Sequence, residues 1–423
     1  MKFIQRRPKG VKGTSSLIKK RIFMKNRILL SAALTAIVLT AVGCQKPRAR
    51  VVAAPEYDRP LAPGQLALRK ITNPAEIPDF TDACHNLSNL STGIDNSLDY
   101  LKKSSSKQFY PYADITHEQV VKSLTAFNDL LKSGLTGAQL NDAIRQKFDV
   151  YMSVGCDDAG TVLFTGYYTP IFDGSTVKTV QFQYPLYSQP KDLAKDQDGK
   201  ILGRKAADGS ISPYPARAEI ENSNMLAGSE IVWLDDPFKV YIAHVQGSAV
   251  IRMPDGRLVT YGYSANNGHE YKSIIKQLIS EGKIPPDRVS LASLIDYFKA
   301  NSALVRQYTQ LNPRFVFFSQ TEQGGPRGSL NEPVIAYRSI ATDKTIFPRA
   351  ALTFYTTKLP RQIGDTTYFD PFAGFALDQD TGGAIRAAGR CDIYLGIGNE
   401  AGKLAGQTYQ EGKLYYLFLK PGY

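Results

Sequence analysis

Two aspartates near the C-terminus combine residue types and a spacing that suit acid–base chemistry. Asp380 follows an apolar run and precedes the pair Gly382-Gly383, and Asp392 opens a second apolar run that ends in a glycine turn. Carboxyls at adjacent strand ends among apolar residues can have pKa values that differ from each other. A carboxyl that stays protonated near neutral pH can act as a general acid. The pattern therefore favours a general acid in this segment.

The triplet Asp380-Thr381-Gly382 allows two other interpretations. In isolation such a triplet is most often a solvated turn, because aspartate and glycine favour turns. It also resembles the aspartic-protease signature, but that chemistry needs two carboxyls that share one proton. The sequence contains a single Asp-Thr-Gly, so we exclude a pepsin-like protease.

Other common catalytic classes find no support in the sequence. None of the histidines occurs in His-Glu-x-x-His or pairs with another at metal-ligand spacing. The histidines are His85, His117, His244 and His269. The nucleotide-binding glycine motifs and the Gly-x-Ser-x-Gly of serine hydrolases are also missing. We therefore expect neither a metal site nor a cofactor.

The segments that would position the two aspartates change from helical to β-rich along the chain. Capping boxes at Thr116 with Gln119 and at Thr136 with Gln139 predict helices over 116–131 and 136–148. Short apolar runs broken by glycine and proline then predict strands over 162–168, 180–187, 231–245, 249–252 and 258–263. Two more helices are predicted over 271–280 and 291–311, and β-rich sequence follows from Arg314.

The first 50 residues differ from the rest of the chain in charge. They hold 13 of the 51 Lys and Arg residues and no acidic residue, which leaves 38 basic and 39 acidic residues in the rest. The net charge of +12 therefore belongs to this leader. The remainder lacks the basic surface that nucleic-acid binding needs.

The leader has the features of an export signal. Its 15-residue apolar run, Ile28–Val42, is short for a membrane-spanning helix and typical of a signal peptide. Small residues before Cys44 resemble the bacterial lipoprotein processing site, and Gln45 after it resembles lipoproteins sent to the outer membrane. We expect a periplasmic protein whose lipidated Cys44 lies in the inner leaflet of the outer membrane. An ordinary signal peptide or an uncleaved anchor is the alternative, and Met24 is a possible start of synthesis.

Three cysteines follow the leader. In an oxidising compartment Cys84 and Cys156 could form a disulfide, which would leave Cys391 as an odd, buried thiol. The alternative is that all three are small core residues. No paired-cysteine spacing indicates zinc.

Seven motifs in one order resemble those of the membrane-bound lytic murein transglycosylase A family. The resemblance covers about two-thirds of the chain, from residue 150 to the C-terminus, and the segment with Asp380 and Asp392 is shared with a wider group of double-psi barrel proteins. The six other motifs are Phe164–Pro170, Tyr184–Tyr187, Arg217–Ile220, Val245–Ser248, Tyr263–Ile274 and Asn312–Phe318.

The resemblance implies a mainly β fold with α-helical additions. It consists of a six-stranded double-psi β-barrel, a second β-barrel domain inserted into it, and a groove between the two. On this chain, residues 1–43 would be a signal peptide and 44–80 a proline-rich, lipid-anchored tether. Residues 81–168 and 319–423 would form the catalytic barrel with its N-terminal helices, and 169–318 the inserted glycan-binding domain.

The resemblance also implies an activity. The family cleaves the β-1,4 bond between N-acetylmuramic acid and N-acetylglucosamine in peptidoglycan and leaves a 1,6-anhydromuramoyl end. Its members are lyases of the lytic exotransglycosylase type, although this sequence does not distinguish cleavage at chain ends from cleavage inside chains. Asp392 matches the catalytic acid and base of the family, and Asp380 matches a neighbouring carboxyl that we give a supporting role.

Further residues match motifs that line the glycan groove of the family. Their hydroxyl, amide and aromatic groups suit sugar binding, and their glycines allow close approach. These residues are Thr165, Gly166, Tyr167, Gln246, Gly247 and Ser248. Arg217 and Glu219 are expected to form an internal ion pair. The expected partners are peptidoglycan glycan strands and, through the lipid, a membrane.

Two alternatives remain open from the sequence. Some double-psi barrel enzymes are hydrolases that use two aspartates, and a hydrolase would give reducing ends instead of anhydro ends. A non-catalytic lipoprotein that binds the cell wall would have no need of an acidic Asp392.

Overall fold

A computed structural model describes residues 55–196, 199–285, 291–321, 325–364 and 366–423. The expected signal peptide and the lipidation site Cys44 lie outside these residues. No helix among the described residues has the length and apolar character needed to cross a membrane.

The N-terminal part is a set of helices followed by barrel strands. In chain order these elements are β1 (Leu68–Lys70), α1 (Leu90–Lys102), α2 (His117–Lys132), α3 (Gly137–Lys147), β2 (Phe148–Ser153) and β3 (Val162–Thr169). The two predicted helices are confirmed, whereas α1 was not predicted. The Thr116 side chain accepts a hydrogen bond from the backbone N–H of Gln119, as a capping residue should.

The expected tether is shorter than predicted. Strand β1 pairs antiparallel with β2, and Ala67, Leu68 and Ile71 are buried. Phe80 is also fully buried, where its ring packs edge-on against Phe354. The prediction that the tether extends to residue 80 is therefore wrong, because these apolar side chains are stabilised by burial in the barrel core.

The inserted segment begins directly after β3. Its strands and helices are β4 (Ile171–Ser175), β5 (Tyr184–Tyr187), β6 (Leu193–Lys195), β7 (Ile201–Lys205), β8 (Ile211–Ser212), α4 (Arg217–Glu221), β9 (Glu230–Leu234), α5 (Pro237–Gln246), β10 (Ser248–Arg252), β11 (Leu258–Asn266), α6 (Ile274–Ser280), α7 (Leu291–Ala300), α8 (Val305–Thr309) and β12 (Val316–Gln320). Six strands pair in the order β12-β11-β10-β4-β9-β5, and β6, β7 and β8 form a small separate sheet. The two edges of the larger sheet approach each other where Tyr187 packs against Phe315, with ring centroids 6.2 Å apart.

The predicted strand over 231–245 is wrong beyond Leu234. Residues 237–246 form helix α5, which starts where the Asp236 side chain accepts a hydrogen bond from the Phe238 N–H at 2.6 Å. Pro237 occupies the first helical position, and Gly247 ends the helix with φ at 74°. These capping residues outweigh the β propensity of the valines and aromatic residues between them.

The chain returns to the barrel after the insertion. The elements are β13 (Ser339–Ala341), β14 (Leu352–Ile363), β15 (Thr366–Asp380), β16 (Arg390–Ile397), α9 (Gly398–Gln407) and β17 (Tyr409–Leu419). Six strands pair in the order β17-β14-β15-β13-β16-β3, and β3 also pairs with β17, which closes the ring. The expected six-stranded barrel is confirmed.

The barrel interior and the N-terminal helices share one hydrophobic core. Phe164, Phe354 and Phe375 are fully buried inside it. Phe127 of α2 packs against Phe375 with ring centroids 5.0 Å apart. Replacing a buried phenylalanine of this kind with alanine typically costs about 3–5 kcal/mol, so the helices are an integral part of the domain.

The three cysteines after the leader are buried free thiols. The structure therefore agrees with the core-residue alternative and not with the disulfide. Burial is the main cause that raises the pKa of Cys84 to about 12, which makes this thiol unreactive.

Candidate active site

The register of three strands brings the two aspartates to one side of the barrel. Strand β16 runs parallel to β3, so Asp392 lies opposite Thr165 and Tyr394 opposite Tyr167. The short strand β13 lies on the other side of β16, and its Ala341 lies opposite both Asp392 and Asp380. One strand residue therefore separates the aspartates, and their Cα atoms are two strand spacings, or roughly 10 Å, apart.

Asp392 is a carboxyl that favours its protonated form. Its Oδ1 is shielded from solvent and has no hydrogen-bond partner among the described residues. Burial raises the pKa of Asp392 to about 7, although the charge of Arg390 and the side chain of Thr165 oppose this rise. The charge of Asp380 adds to the increase. A group with this pKa can both donate and accept a proton at neutral pH.

Asp380 has a different environment because its oxygens are occupied. Oδ1 accepts hydrogen bonds from the backbone N–H groups of Ser329 and Thr381, both at 2.8 Å. Oδ2 accepts one from the Tyr167 hydroxyl at 2.9 Å. Burial raises the pKa of Asp380, whereas these three hydrogen bonds oppose the rise. The partners fix the carboxyl in place, which suits a supporting role.

A cavity of about 550 Å³ opens in front of both aspartates. Barrel residues form one wall, and residues of the inserted segment form the other. Of the residues predicted to line a glycan groove, the cavity is lined by Thr165, Gly166, Tyr167, Gln246 and Gly247. The expected groove thus lies between the barrel and the insertion.

Ser248 does not line this cavity, contrary to the prediction. It is buried, and its hydroxyl lies 3.1 Å from the hydroxyl of Thr169 in a contact that joins β10 to β3. Its neighbour Gln246 lines the cavity, and Oε1 of that side chain accepts a hydrogen bond from the Tyr168 N–H at 3.1 Å. Gln246 ends helix α5 and Ser248 begins strand β10, and the chain changes direction between them at Gly247, whose φ is 74°.

Comparison with known proteins places the chain in a family. The MltA specific insert domain matches residues 163–319, and the 3D domain matches residues 338–418. The membrane-bound lytic murein transglycosylase A of Escherichia coli K12 is 30% identical over 277 residues, which cover 65% of this chain and 70% of that protein. The chain belongs to the membrane-bound lytic murein transglycosylase A family.

Solved structures of the family have the same fold. The structure of a membrane-bound lytic murein transglycosylase from Agrobacterium tumefaciens superposes with a TM-score of 0.69 at 24% identity, and covers 84% of this chain and 98% of that one. The structure of E. coli MltA with bound chitohexaose gives a TM-score of 0.62 at 25% identity, and covers 87% of this chain and all of the other. The 3D domain is a double-psi β-barrel, so the expected fold class is confirmed.

Two glycines of the family motifs are needed for close packing. A Cβ atom on Gly383 would lie 3.0 Å from Cβ of Tyr271, so this glycine lets the loop after Asp380 approach the insertion. A Cβ atom on Gly166 would lie 2.9 Å from Cα of Ala405 in α9. Gly166 therefore allows helix packing behind the site as well as lining the cavity.

The predicted ion pair between Arg217 and Glu219 is wrong in its partner. Arg217 is buried and pairs with Glu221 at 3.0 Å, one helical turn further along α4. Glu219 instead accepts a hydrogen bond from the Ala216 N–H at the start of this helix. An i,i+4 spacing places two side chains on the same helix face, whereas an i,i+2 spacing does not.

His244 is a cavity residue that sequence analysis did not assign to the site. Its Nδ1 accepts hydrogen bonds from the Val316 N–H and the Arg217 guanidinium at 3.2 and 3.1 Å. Burial and, to a lesser degree, the charge of Arg217 lower the pKa of His244 well below its usual value. The ring is thus neutral, and it supports the wall of the inserted segment.

Sequence analysis also missed three arginines of the cavity, because Arg386 and Arg390 lie outside the matched motifs and Arg314 occupies an unspecified position within one of them. All three line the cavity. Their position close to the motif residues Asn312, Gly383 and Asp392 in sequence was the signal that could have found them. Among the described residues, no cluster of histidine, cysteine and carboxylate side chains could hold a metal ion.

Proposed function

We propose that this protein is a lytic transglycosylase that cleaves peptidoglycan glycan strands in the cavity between its two domains. The observation that carries this proposal is the environment of Asp392, a shielded carboxyl with a pKa of about 7. Support for the substrate comes from the family, whose named members are lytic murein transglycosylases. A structure of the E. coli relative with chitohexaose supports glycan binding in this fold.

The chemistry needs one protein carboxyl. Protonated Asp392 donates its proton to the oxygen of the bond between N-acetylmuramic acid and N-acetylglucosamine. The 6-hydroxyl of the same muramoyl residue then attacks C1, and the aspartate accepts the proton of that hydroxyl. The product is a 1,6-anhydromuramoyl end, and no water is consumed. Because the attack is intramolecular, positioning of the sugar can lower the barrier by several kcal/mol.

The environment of Asp380 favours this reaction over hydrolysis. A hydrolase needs a second carboxylate that can activate water or attack the sugar. Both oxygens of Asp380 already accept hydrogen bonds from Ser329, Thr381 and Tyr167. These partners orient Asp380 as an electrostatic neighbour of Asp392 and leave little capacity for proton transfer.

Mass spectrometry of the products tests the proposal. Purified protein incubated with peptidoglycan should release muropeptides one water lighter than the corresponding reducing products. The Asp392→Asn variant should lower the cleavage rate by about 10²–10⁴, the typical contribution of a general acid, while it still binds glycan strands. Reducing ends in place of anhydro ends would favour the hydrolase, and unchanged cleavage by Asp392→Asn would overturn the assigned role.

We also propose a periplasmic location at the outer membrane, with Cys44 as the lipidated residue. The support is the leader sequence alone, in which the apolar run Ile28–Val42 and small residues precede the cysteine. A membrane anchor would hold the enzyme close to its polymeric substrate.

A further inference from the structure

The cavity in front of Asp392 has a strong excess of positive charge. Among its lining residues, five arginines face two carboxylates, Asp380 and Asp392. Three of the arginines have acidic partners outside the cavity wall: Arg217 pairs with Glu221 at 3.0 Å, Arg390 with Asp58 at 3.3 Å and Arg327 with Glu332 at 3.9 Å. A neutral sugar chain would not need such a charge excess, because hydroxyl and amide groups are recognised by neutral partners.

The two other arginines line the cavity from opposite walls. Arg314 belongs to the inserted segment and is half-buried, and its Nη1 donates to the backbone oxygen of His269 at 3.1 Å. Arg386 belongs to the barrel loop that follows Asp380. Both side chains line the same cavity. Burial lowers the pKa of Arg314, and the charge of Arg386 lowers it further.

The acidic residue beside this pair is a weak partner. Nη2 of Arg386 lies 3.6 Å from a carboxylate oxygen of Glu270, whose side chain is 85% exposed. An exposed pair of this length contributes little to stability. A carboxylate of a bound ligand could therefore replace Glu270 and form charge-assisted hydrogen bonds to one guanidinium from each wall.

We propose that Arg314 and Arg386 form a carboxylate-binding subsite that selects glycan strands with acidic branches over neutral strands. The inference rests on the proposed function, because muramoyl residues carry a lactyl branch on the sugar ring. The carboxylate can come from the lactyl group itself in peptide-free strands. It can also come from the acidic residues of a peptide attached to that group.

Binding measurements with three ligands test the subsite. The ligands are peptide-free murein strands, peptide-bearing murein strands and the neutral chitohexaose. All proteins carry Asp392→Asn so that strands remain intact during the titration. Arg386→Gln should weaken the binding of an acidic strand about tenfold, the effect of one lost charge-assisted hydrogen bond. It should change chitohexaose binding by less than about twofold, which also shows that the variant is folded.

Two further variants sharpen the experiment. Glu270→Gln removes the competing carboxylate and should strengthen the binding of acidic strands a few-fold, whereas Arg314→Gln should weaken it as Arg386→Gln does. The control is Arg257→Gln, which removes the charge of an exposed arginine that pairs with Asp255 outside the cavity. It should leave the binding of acidic and neutral strands unchanged.

The outcomes distinguish the two possible sources of the carboxylate, and they test the subsite separately from the proposed function. If Arg386→Gln weakens the binding of peptide-free strands, the lactyl group is the source of the bound carboxylate. If it weakens the binding of peptide-bearing strands alone, the source is the peptide. Equal losses for all three ligands, or no loss, would overturn the subsite. If the protein with Asp392 intact releases no anhydro product, the proposed function fails, whereas the ligand preference is still measured by the titrations.

Discussion

The two aspartates of the site share a cavity but differ in their partners. Both are held by strands that meet at Ala341. Asp380 accepts three hydrogen bonds, whereas Oδ1 of Asp392 has no partner among the described residues. A shielded carboxylate oxygen without a hydrogen-bond partner loses hydration and gains little in return, so the protonated form is favoured. This difference assigns the acid to Asp392.

The pKa of Asp392 predicts how cleavage depends on pH. The first step needs the protonated form, and a pKa of about 7 means that this form declines above neutrality. The value of kcat/KM should therefore fall about tenfold per pH unit above pH 7. The Arg390→Gln variant removes a charge that lowers this pKa, so its alkaline limb should move to higher pH. A limb that does not move would contradict the assignment.

Replacing Asp380 should have a smaller effect than replacing Asp392. In Asp380→Asn the side-chain oxygen can still accept from Ser329 and Thr381, so the loop keeps its place. The loss of the negative charge lowers the pKa of Asp392, because the charge of Asp380 raises it. We expect a loss of about tenfold or less at pH 7 and an alkaline limb at lower pH in a pH–rate profile. Losses as large as those of Asp392→Asn would instead support a two-carboxylate hydrolase.

At the level of elements, the sequence predicted the aspartates and much of the wall but not what packs behind them. The motifs around Thr165 and Asp392 were sufficient because adjacent parallel strands bring them together. Helix α9 was missed because three of its ten residues are glycines, which are unfavourable in a helix interior. Arg314 and Arg386 are 72 positions apart, and only the return of the chain from the insertion brings them to one cavity. Such a long-range contact leaves no local pattern.

Alanine substitutions at two glycines of α9 should have opposite effects on the stability of the fold. A Cβ atom on Gly402 would lie 2.8 Å from Cε2 of the Tyr168 ring, so Gly402→Ala should destabilise the fold by about 1–3 kcal/mol. A Cβ atom on Gly406 would lie no closer than 3.5 Å to its nearest neighbour, Leu291. Gly406→Ala should therefore be neutral or stabilise by up to about 1 kcal/mol through helix propensity. Urea unfolding monitored by circular dichroism measures both, and equal effects would show that α9 packs differently.

At the scale of the whole molecule, the order of the motifs predicted the family fold, but the boundary between the tether and the folded domain was predicted wrongly. Residues 67–71 were assigned to a tether, yet they pair with β2 and are buried in part. The strand was not predicted because prolines lie near this segment and because three paired residues give too weak a pattern to recognise. The capped helix α5 was missed for a related reason, because an apolar run does not by itself distinguish strand from helix.

The anchor is the prediction that belongs to the whole molecule. If Cys44 is lipidated, Cys44→Ser should move the protein from the membrane fraction to the soluble periplasmic fraction and leave its cleavage of isolated peptidoglycan unchanged. Cell fractionation followed by immunoblotting measures the first effect and the product assay the second. Cys84→Ser, which changes a buried free thiol, is a control that should stay in the membrane. Membrane retention of Cys44→Ser would indicate an uncleaved anchor.

The closure of the barrel by β17 has a consequence for biosynthesis. Strand β3 carries Thr165 and Tyr167 but is flanked by β16 and β17, which are synthesised more than 200 residues later. The barrel that holds the site can therefore close only after β17 has been synthesised and pairs with β3. A chain that could damage the wall which protects its own cell thus acquires that capacity only as a finished product.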